Sequence, residues 1–205
     1  IGWCDWSSDV CSSDLVDEGK PAGKKKRKPS INGHVLMYVD VCEWLYRLTG
    51  DRTYVSYAAF LYDDYCKSND ALPDDLKIQS LLDPKVPFTG HGAHVAEQLR
   101  VPLFLAYADG REPYPQAARA AFEKLNHYIV PSGAMVSDEG VHDLPPLPFQ
   151  GYEYCAMTEL TASLASAMQK TGLAEFADMI ERLVFNAAQG ARTPDGSKIA
   201  YISSS

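Results

Sequence analysis

A glutamate and a cysteine lie one residue apart in the stretch GYEYC, at Glu153 and Cys155. Zinc accepts both a carboxylate and a thiolate as ligands, although two ligands make only half of a tetrahedral site. Residues two apart on a regular helix point in different directions, so both can bind one ion only if they lie before the helix, on irregular backbone at its start. The pair alone is a weak signal, because buried free cysteines are common in protein cores.

Further acid and imidazole groups precede this pair, and they are Asp138, Glu139, His142 and Asp143. Two more histidines, His91 and His94, are spaced i, i+3 in TGHGAHVAEQLR, at the start of a predicted helix. Histidines at this spacing can bind a metal ion, but they more often cap a helix or line a polar cleft. Both interpretations stay open from the sequence.

The elements that position these residues repeat along the chain. Each of LYRLTGDRTYVSYAAFLYDDY, LFLAYADGREPYPQAARAAFEKL and SAMQKTGLAEFADMIERLVFNA reads as a helix, a short turn with glycine, and a second helix. The glycines, Gly50, Gly110 and Gly172, are about sixty residues apart. Glycine ends a helix in the left-handed conformation, and a short connection makes the next helix antiparallel. The sequence therefore predicts an all-α fold of helical hairpins.

A hairpin of this kind buries its apolar face only against its neighbours, which requires an open solenoid or a closed ring. The repeat is longer than the roughly 34 to 47 residues of common helical repeats. The extra length lies in two loops rich in Pro, Asp and Gly, residues 67–90 and 131–151. Because long loops on a rigid scaffold usually carry the functional site, we expect the chemistry there.

The first residues do not look like part of the fold. DWSSDVCSSDL, residues 5–15, has no helical or strand period, and its codons can be written as the end of a widely used sequencing adapter. We interpret residues 1–15 as a non-native segment, 16–31 as a polar basic linker and 32–205 as the folded domain. The last residues, SKIAYISSS, form a strand-like run with no closing element. We therefore expect truncation at both ends.

Charge and composition limit the partners. The net charge is −8, and it becomes −5 when Asp5, Asp9 and Asp14 of the first segment are left out, so the chain has no electrostatic reason to bind nucleic acid. The basic run 24–28 is more typical of a solvated loop. No apolar stretch approaches the roughly 20 residues that span a membrane. The sequence predicts a soluble chain and leaves its compartment open.

The order of TGHGAHVAEQLRVPLFLAYADG, GAMVSDEG, GYEYCAMTELTASLASAMQKTGLAEFADMIERLVFNAA and TPDGSKIAYIS resembles the β-L-arabinofuranosidases of glycoside hydrolase family 127. The resemblance covers most of residues 32–205 and is densest at E-x-C and the ERLVFNA helix. Family members fold as an (α/α)6 barrel followed by β-sandwich domains. The resemblance thus implies that residues 32–205 are a partial (α/α)6 barrel, the catalytic domain of such an enzyme.

The resemblance also implies roles for single residues. Glu153 and Cys155 fall on two zinc ligands, and Glu139 falls near the general acid/base, although Asp138 and Asp143 stay open as alternatives for the acid. The family's two remaining ligands are cysteines further downstream, one of them the nucleophile. The implied reaction is retaining hydrolysis of non-reducing-end arabinofuranosyl or related sugars, in which a zinc-bound thiolate replaces the second carboxylate.

Five weaker assignments concern the carbohydrate substrate. His34, His91 and His94 are candidates for binding sugar hydroxyls, and Tyr152 or Tyr154 for stacking on the sugar ring.

Two other hypotheses compete with the zinc glycosidase. One is another (α/α)6 sugar enzyme, an epimerase or lyase that uses histidines without zinc, and the other is a non-catalytic helical-repeat scaffold for a protein partner. Clustered acids beside a thiol argue against a pure scaffold. We expect this chain alone to be inactive and to self-associate, because three hairpins leave apolar faces open to water.

Overall fold

The computed structural model describes residues 36–68, 75–141 and 150–204. Residues 1–15 and 16–31, the first two predicted segments, lie outside these ranges. His34, His142 and Asp143 also lie outside them. The α-helices are, in chain order, α1 (Tyr38–Thr49), α2 (Thr53–Lys67), α3 (Ile78–Leu82), α4 (Gly92–Gln98), α5 (Arg100–Ala108), α6 (Tyr114–Leu125), α7 (Tyr154–Thr171) and α8 (Glu175–Arg182). A 3-10 turn, Asn126–Tyr128, follows α6, and a π-helical segment, Leu183–Ala188, continues α8.

The three predicted hairpins are confirmed as α1 with α2, α5 with α6, and α7 with α8. The first helix of each pair ends one or two residues before its predicted glycine, and Gly50, Gly110 and Gly172 have φ angles of 70°, 68° and 72°. Only glycine adopts this left-handed conformation without steric cost. Local backbone geometry therefore reverses the chain direction in each hairpin.

The core runs along the facing sides of these helices. Fully buried side chains recur at helical spacing, as at Ala58 and Tyr62 on α2 and at Ala117 and Ala121 on α6. The buried residues of α2 and α6 therefore lie along one face of each helix. Within the described ranges, no helix combines the length and apolar character needed to cross a bilayer.

A short break separates α4 from α5 at Leu99. Pro102, in the first turn of α5, has no N–H group to donate to the carbonyl of Gln98, so the helix cannot run straight through this point. The two helices are therefore separate elements: α4 begins directly after His91, and α5 is the first helix of the second hairpin.

A partly buried ion-pair cluster joins the hairpins. The Arg100 guanidinium on α5 lies 2.7 Å from the Asp40 carboxylate on α1 and 3.0 Å from that of Glu159 on α7. Glu97, 3.8 Å from Arg100, is the third carboxylate. Burial, together with the charge of Glu159, raises the pKa of Glu97 to about 7. One cation thus faces three acids, and Glu97 is the one that holds a proton most readily.

A small sheet that the all-α prediction did not include lies at one end of the helices. Its strands are β1 (Ser137–Asp138), β2 (Gly140–Val141), β3 (Gly151–Glu153) and β4 (Ile202–Ser204), in the spatial order β2-β1-β3-β4. β1 pairs antiparallel with β2 and parallel with β3, and β3 pairs antiparallel with β4. Strands of two or three residues are too short to give a period-two signal. The strand-like run at the end of the sequence does form a strand, β4, and it pairs with the strand that carries Glu153.

Candidate functional site

Three of the residues singled out from the sequence meet beside the small sheet. One ligand atom from each of His91, Glu139 and Glu153 lies within 4.8 Å of the others. His91 comes directly before α4, Glu139 lies between β1 and β2, and Glu153 ends β3. The site is thus assembled from segments that are far apart in the sequence.

Backbone contacts hold the His91 segment against the β1–β2 turn. The Gly92 N–H donates to the carbonyl oxygen of Glu139 at 2.7 Å, and the Val141 N–H donates to that of Gly90 at 2.9 Å. A side chain at Gly92 is excluded, because its Cβ would lie 1.9 Å from Ser137 Oγ. Glycine is therefore required here for the close approach of α4 to β1.

Glu139 occupies the tip between β1 and β2 with a φ of 89°. A non-glycine residue pays roughly 1–3 kcal/mol for such a conformation, and strain of this kind clusters at functional sites. Its side chain is 53% exposed. One carboxylate oxygen lies 2.9 Å from His91 Nε2, and the other accepts a hydrogen bond from the Tyr201 hydroxyl at 2.7 Å. The carboxylate is thus fixed on both sides and open to solvent.

Glu153 is the buried partner of Glu139. It ends β3 with extended backbone, and its side chain is 1% exposed. Its Oε1 accepts a hydrogen bond from the Tyr201 hydroxyl at 2.9 Å and lies 3.7 Å from His91 Nε2. One phenol therefore bridges both carboxylates.

The two carboxylates have opposite electrostatic environments. Burial raises the pKa of Glu153, and the charge of Glu139 adds to this. The pKa of Glu139 is lowered because the Tyr201 hydroxyl donates to its carboxylate, with a further contribution from His91. Burial and the two carboxylates raise the pKa of Tyr201. At neutral pH Glu139 is therefore the carboxylate of the pair, and Glu153 the group that more readily holds a proton or a cation.

Cys155 lies in the first turn of α7, and its thiol is close enough to Glu153 to lower the pKa of that carboxyl. The expectation that both residues lie before the helix is correct for Glu153 and wrong for Cys155. The strand-to-helix transition falls between them, since Glu153 keeps a ψ of 133° while the next residue is helical. This change of backbone direction, rather than irregular backbone at both positions, brings the two side chains together.

The donor set fits a metal ion. His91 Nδ1 and Glu153 Oε2 are buried and have no hydrogen-bond partner among the described residues. A buried carboxylate oxygen without a donor is costly unless a proton or a cation satisfies it. Imidazole nitrogen, two carboxylates and a nearby thiol are ligands typical of a borderline-soft ion. His91, Glu139 and Glu153 could therefore hold a metal ion, with Cys155 beside them.

The structure places the remaining candidates at different distances from this cluster. The His94 ring contacts that of His91, with 4.7 Å between centroids and 37° between the planes. Tyr152 alternates with Glu153 along β3, so its side chain points to the other face of the sheet. The Tyr154 hydroxyl accepts a hydrogen bond from Arg192 at 3.3 Å. Their contacts with a sugar stay predictions, as does that of His34.

Tyr201 is the site residue that sequence reasoning missed. It directly precedes β4, and its carbonyl oxygen accepts a hydrogen bond from the Tyr154 N–H at 2.8 Å. Nothing in local spacing connects it to residues 48 and 62 positions earlier. Two features of the sequence could have pointed to Tyr201. Its segment is strand-like, and that segment, TPDGSKIAYIS, is one of those that resemble the family.

Comparison with known proteins identifies the family. The model of the β-L-arabinofuranosidase GH127 catalytic domain matches residues 16–204. The chain belongs to the GH127 family. Comparison with curated proteins finds no match to this GH127 domain.

Solved structures show that the GH127 domain shares its fold with larger enzymes. A GH127 β-arabinofuranosidase is 20% identical, with a TM-score of 0.65, over 80% of this chain and 26% of that protein. A GH127 β-L-arabinofuranosidase from Geobacillus stearothermophilus T6 is 18% identical, with a TM-score of 0.65, over 81% of this chain and 30% of that protein. The cellobiose 2-epimerase of Bacillus thermoamylovorans B4167 is 12% identical, with a TM-score of 0.54, over 83% and 45%.

These superpositions establish the fold as a partial (α/α)6 barrel, as predicted. The GH127 chain spans less than a third of the length of the two arabinofuranosidases. The same fold also occurs in a sugar epimerase, so the function has to be argued from the site rather than from the helices.

Proposed function

We propose that the protein containing this GH127 domain is a retaining glycoside hydrolase that releases non-reducing-end arabinofuranosyl or related sugars. Glu139 is its general acid/base, and Glu153 and Cys155 are ligands of a zinc ion. The observation that carries the proposal is the pair of carboxylates joined by Tyr201, one open to solvent and one buried. The exposed carboxyl suits proton transfer to a substrate, and the buried one, whose Oε2 has no hydrogen-bond partner, suits a metal ligand.

The exposure and the contacts of Glu139 support its role as the proton-transfer group. Its side chain is 53% exposed, and His91 and Tyr201 fix the orientation of its carboxyl. In the first step its carboxyl donates a proton to the leaving glycosidic oxygen, while the downstream cysteine thiolate implied by the family resemblance would attack the anomeric carbon. In the second step its carboxylate takes a proton from the water molecule that would displace that thiolate. Its lowered pKa suits the second step. A bound sugar displaces water from the carboxyl and raises its pKa, which suits the first step.

Retention follows from the family resemblance, in which a downstream cysteine thiolate takes the place of the second carboxylate. Glu153 is then a zinc ligand and not the attacking group. Glu153 is held in place by burial and by the Tyr201 hydroxyl. A zinc ion, when bound, would keep a thiol ligand such as that of Cys155 deprotonated.

The test is the Glu139→Gln variant of the protein that contains this domain, assayed on 4-nitrophenyl β-L-arabinofuranoside. Loss of general acid/base catalysis costs about 10²–10⁴ in rate, so we expect a fall of that size in kcat. The control is Glu123→Gln, an exposed glutamate on α6. Proton NMR of the first-formed anomer reports retention or inversion. Activity of Glu139→Gln equal to that of the control would overturn the assignment.

A second candidate function has one observation in its favour. The imidazoles of His91 and His94 contact each other, and that of His91 adjoins the carboxylates, an arrangement that also suits histidine-dependent proton transfer on a sugar. An epimerase would convert a free sugar into its isomer without forming a new reducing end. Incubation of the same protein with reducing sugars, followed by chromatography of the products, separates the two reactions.

A further inference from the structure

We propose a second carbohydrate-binding site, a groove along α2 that takes a neutral oligosaccharide. The groove has a volume of about 550 Å³, within the range of about 300–1,000 Å³ of small-molecule sites. Its walls are α2 and the turn between α5 and α6. None of its lining residues belongs to the glutamate cluster, so the site is separate from the proposed catalytic one.

The charges of the groove balance, which favours a neutral polar ligand over an ion. The lining includes three cations and three carboxylates, which are Arg52, Lys67, Arg111, Asp63, Asp64 and Asp109. The guanidinium and ammonium groups only donate hydrogen bonds, and the carboxylates only accept them. Arg111 and Asp109 already pair with each other at 3.1 Å, whereas Lys67 and Asp64 are exposed along the groove. A sugar hydroxyl both donates and accepts, so it can pair with either of these two side chains. An anion or a cation would meet as many like charges as opposite ones.

An exposed aromatic platform adjoins these polar groups. The Phe60 side chain lines the groove and is 61% exposed. The Tyr57 ring stacks on it at 6.1 Å between centroids with 20° between the planes, and Tyr57 is 52% exposed. Exposed, nearly parallel rings offer flat apolar area at low entropic cost, which is what the C–H face of a pyranose or furanose ring packs against.

Hydrogen bonds join the two walls, so the groove is formed before a ligand arrives. Arg52 donates to the carbonyl oxygen of Ala108 at 3.1 Å, which connects the start of α2 to the end of α5. The buried Tyr114 hydroxyl donates to Asp63 Oδ1 at 3.0 Å and accepts from Arg111 at 3.0 Å. A preformed site avoids the ordering cost of binding. The Asp64 carboxylate is exposed on the wall of this groove, where a ligand can reach it.

The test is affinity electrophoresis of the protein that contains this domain, in gels that hold arabinan, galactan or dextran. We expect retardation by at least one polysaccharide, and roughly tenfold weaker retardation for Phe60→Ala and for Asp64→Asn. The matched control is Phe185→Ala, which removes a 72% exposed phenylalanine from the third hairpin. Circular dichroism checks that each variant is folded.

The catalytic site is tested separately in the same gels. Glu139→Gln should be retarded as strongly as the unmodified protein, because the groove does not include Glu139. Three outcomes would overturn the groove proposal: no retardation in any gel, equal retardation of Phe60→Ala and the Phe185→Ala control, or loss of retardation in Glu139→Gln alone. The first two leave the proposed glycosidase activity untouched, since that activity is measured on a small substrate.

Discussion

The Tyr201 hydroxyl lies 2.9 Å from Oε1 of Glu153, so that the segment entering the fourth strand of the sheet closes the site around its buried carboxylate. The same hydroxyl reaches Glu139 at 2.7 Å. A single phenolic proton cannot be donated fully to two carboxylates, so the arrangement is most stable when one of them holds a proton or faces a cation. This geometry, rather than the family resemblance, makes Tyr201 a residue to test.

Replacing Tyr201 with Phe removes the bridge but keeps the ring. Hydrogen bonds to charged groups contribute about 1.5–3 kcal/mol, so we expect kcat/KM on the chromogenic glycoside to fall by about tenfold to a hundredfold. The control is Tyr107→Phe, since that tyrosine is 62% exposed on α5 and outside the site. Equal kinetics for both variants would show that the phenol has no role in the reaction.

Replacing Cys155 with Ser tests the zinc site independently of activity. Loss of a thiolate ligand should weaken zinc binding by more than about tenfold, as measured by competition with a chromogenic chelator. Cys66→Ser is the matched control, because that half-buried cysteine lies on α2, away from the glutamate cluster. The prediction fails if zinc is retained equally by the two variants.

Glu97 predicts a pH dependence of stability. Its pKa is about 7 in the folded chain and about 4.5 when exposed, so the folded state binds more protons between these values. The free energy of unfolding is therefore expected to fall as pH rises from about 4.5 to 7, by up to about 3 kcal/mol from this group. Gln cannot titrate, so Glu97→Gln should remove this slope in urea titrations. The control is Glu181→Gln, which changes an exposed glutamate on α8. If the free energy of unfolding of Glu97→Gln and of the unmodified protein changed with pH in the same way, the prediction would be wrong.

Gly133, in the loop of residues 131–151, packs closely against the backbone of Leu183 in the third hairpin. Its φ is 92°, and a Cβ there would lie 2.6 Å from the backbone nitrogen of Leu183. An alanine would be strained at this positive φ, and its Cβ would clash with backbone atoms that cannot move without disturbing the helix. Gly133→Ala should therefore lower the free energy of unfolding by about 2 kcal/mol or more. Thermal unfolding would record this as a loss of several degrees in Tm. Gly190→Ala, which meets open space, should stay within about 1 kcal/mol of the unmodified protein.

The helical hairpins could be predicted because their signals are local. Apolar spacing within one helix and a glycine at its end act over a few residues, and Gly50 and Gly172 have the left-handed conformation that this pattern predicts. The strands could not be predicted in the same way, since β1 and β2 have two residues each and exist only through their pairing. Their hydrogen bonds depend on partners elsewhere in the chain.

By itself, the sequence determined the repeat of hairpins and drew attention to Glu139, Glu153 and Cys155, because residue type and spacing can be read without a fold. Only the tertiary structure decided that His91 contacts Glu139 and that Tyr201 joins both glutamates. These contacts link segments dozens of residues apart, held by the pairing of β3 with β4 and by the approach of Gly92 to β1. Such long-range contacts depend on how the packed helices orient their loops, and no local pattern encodes that orientation.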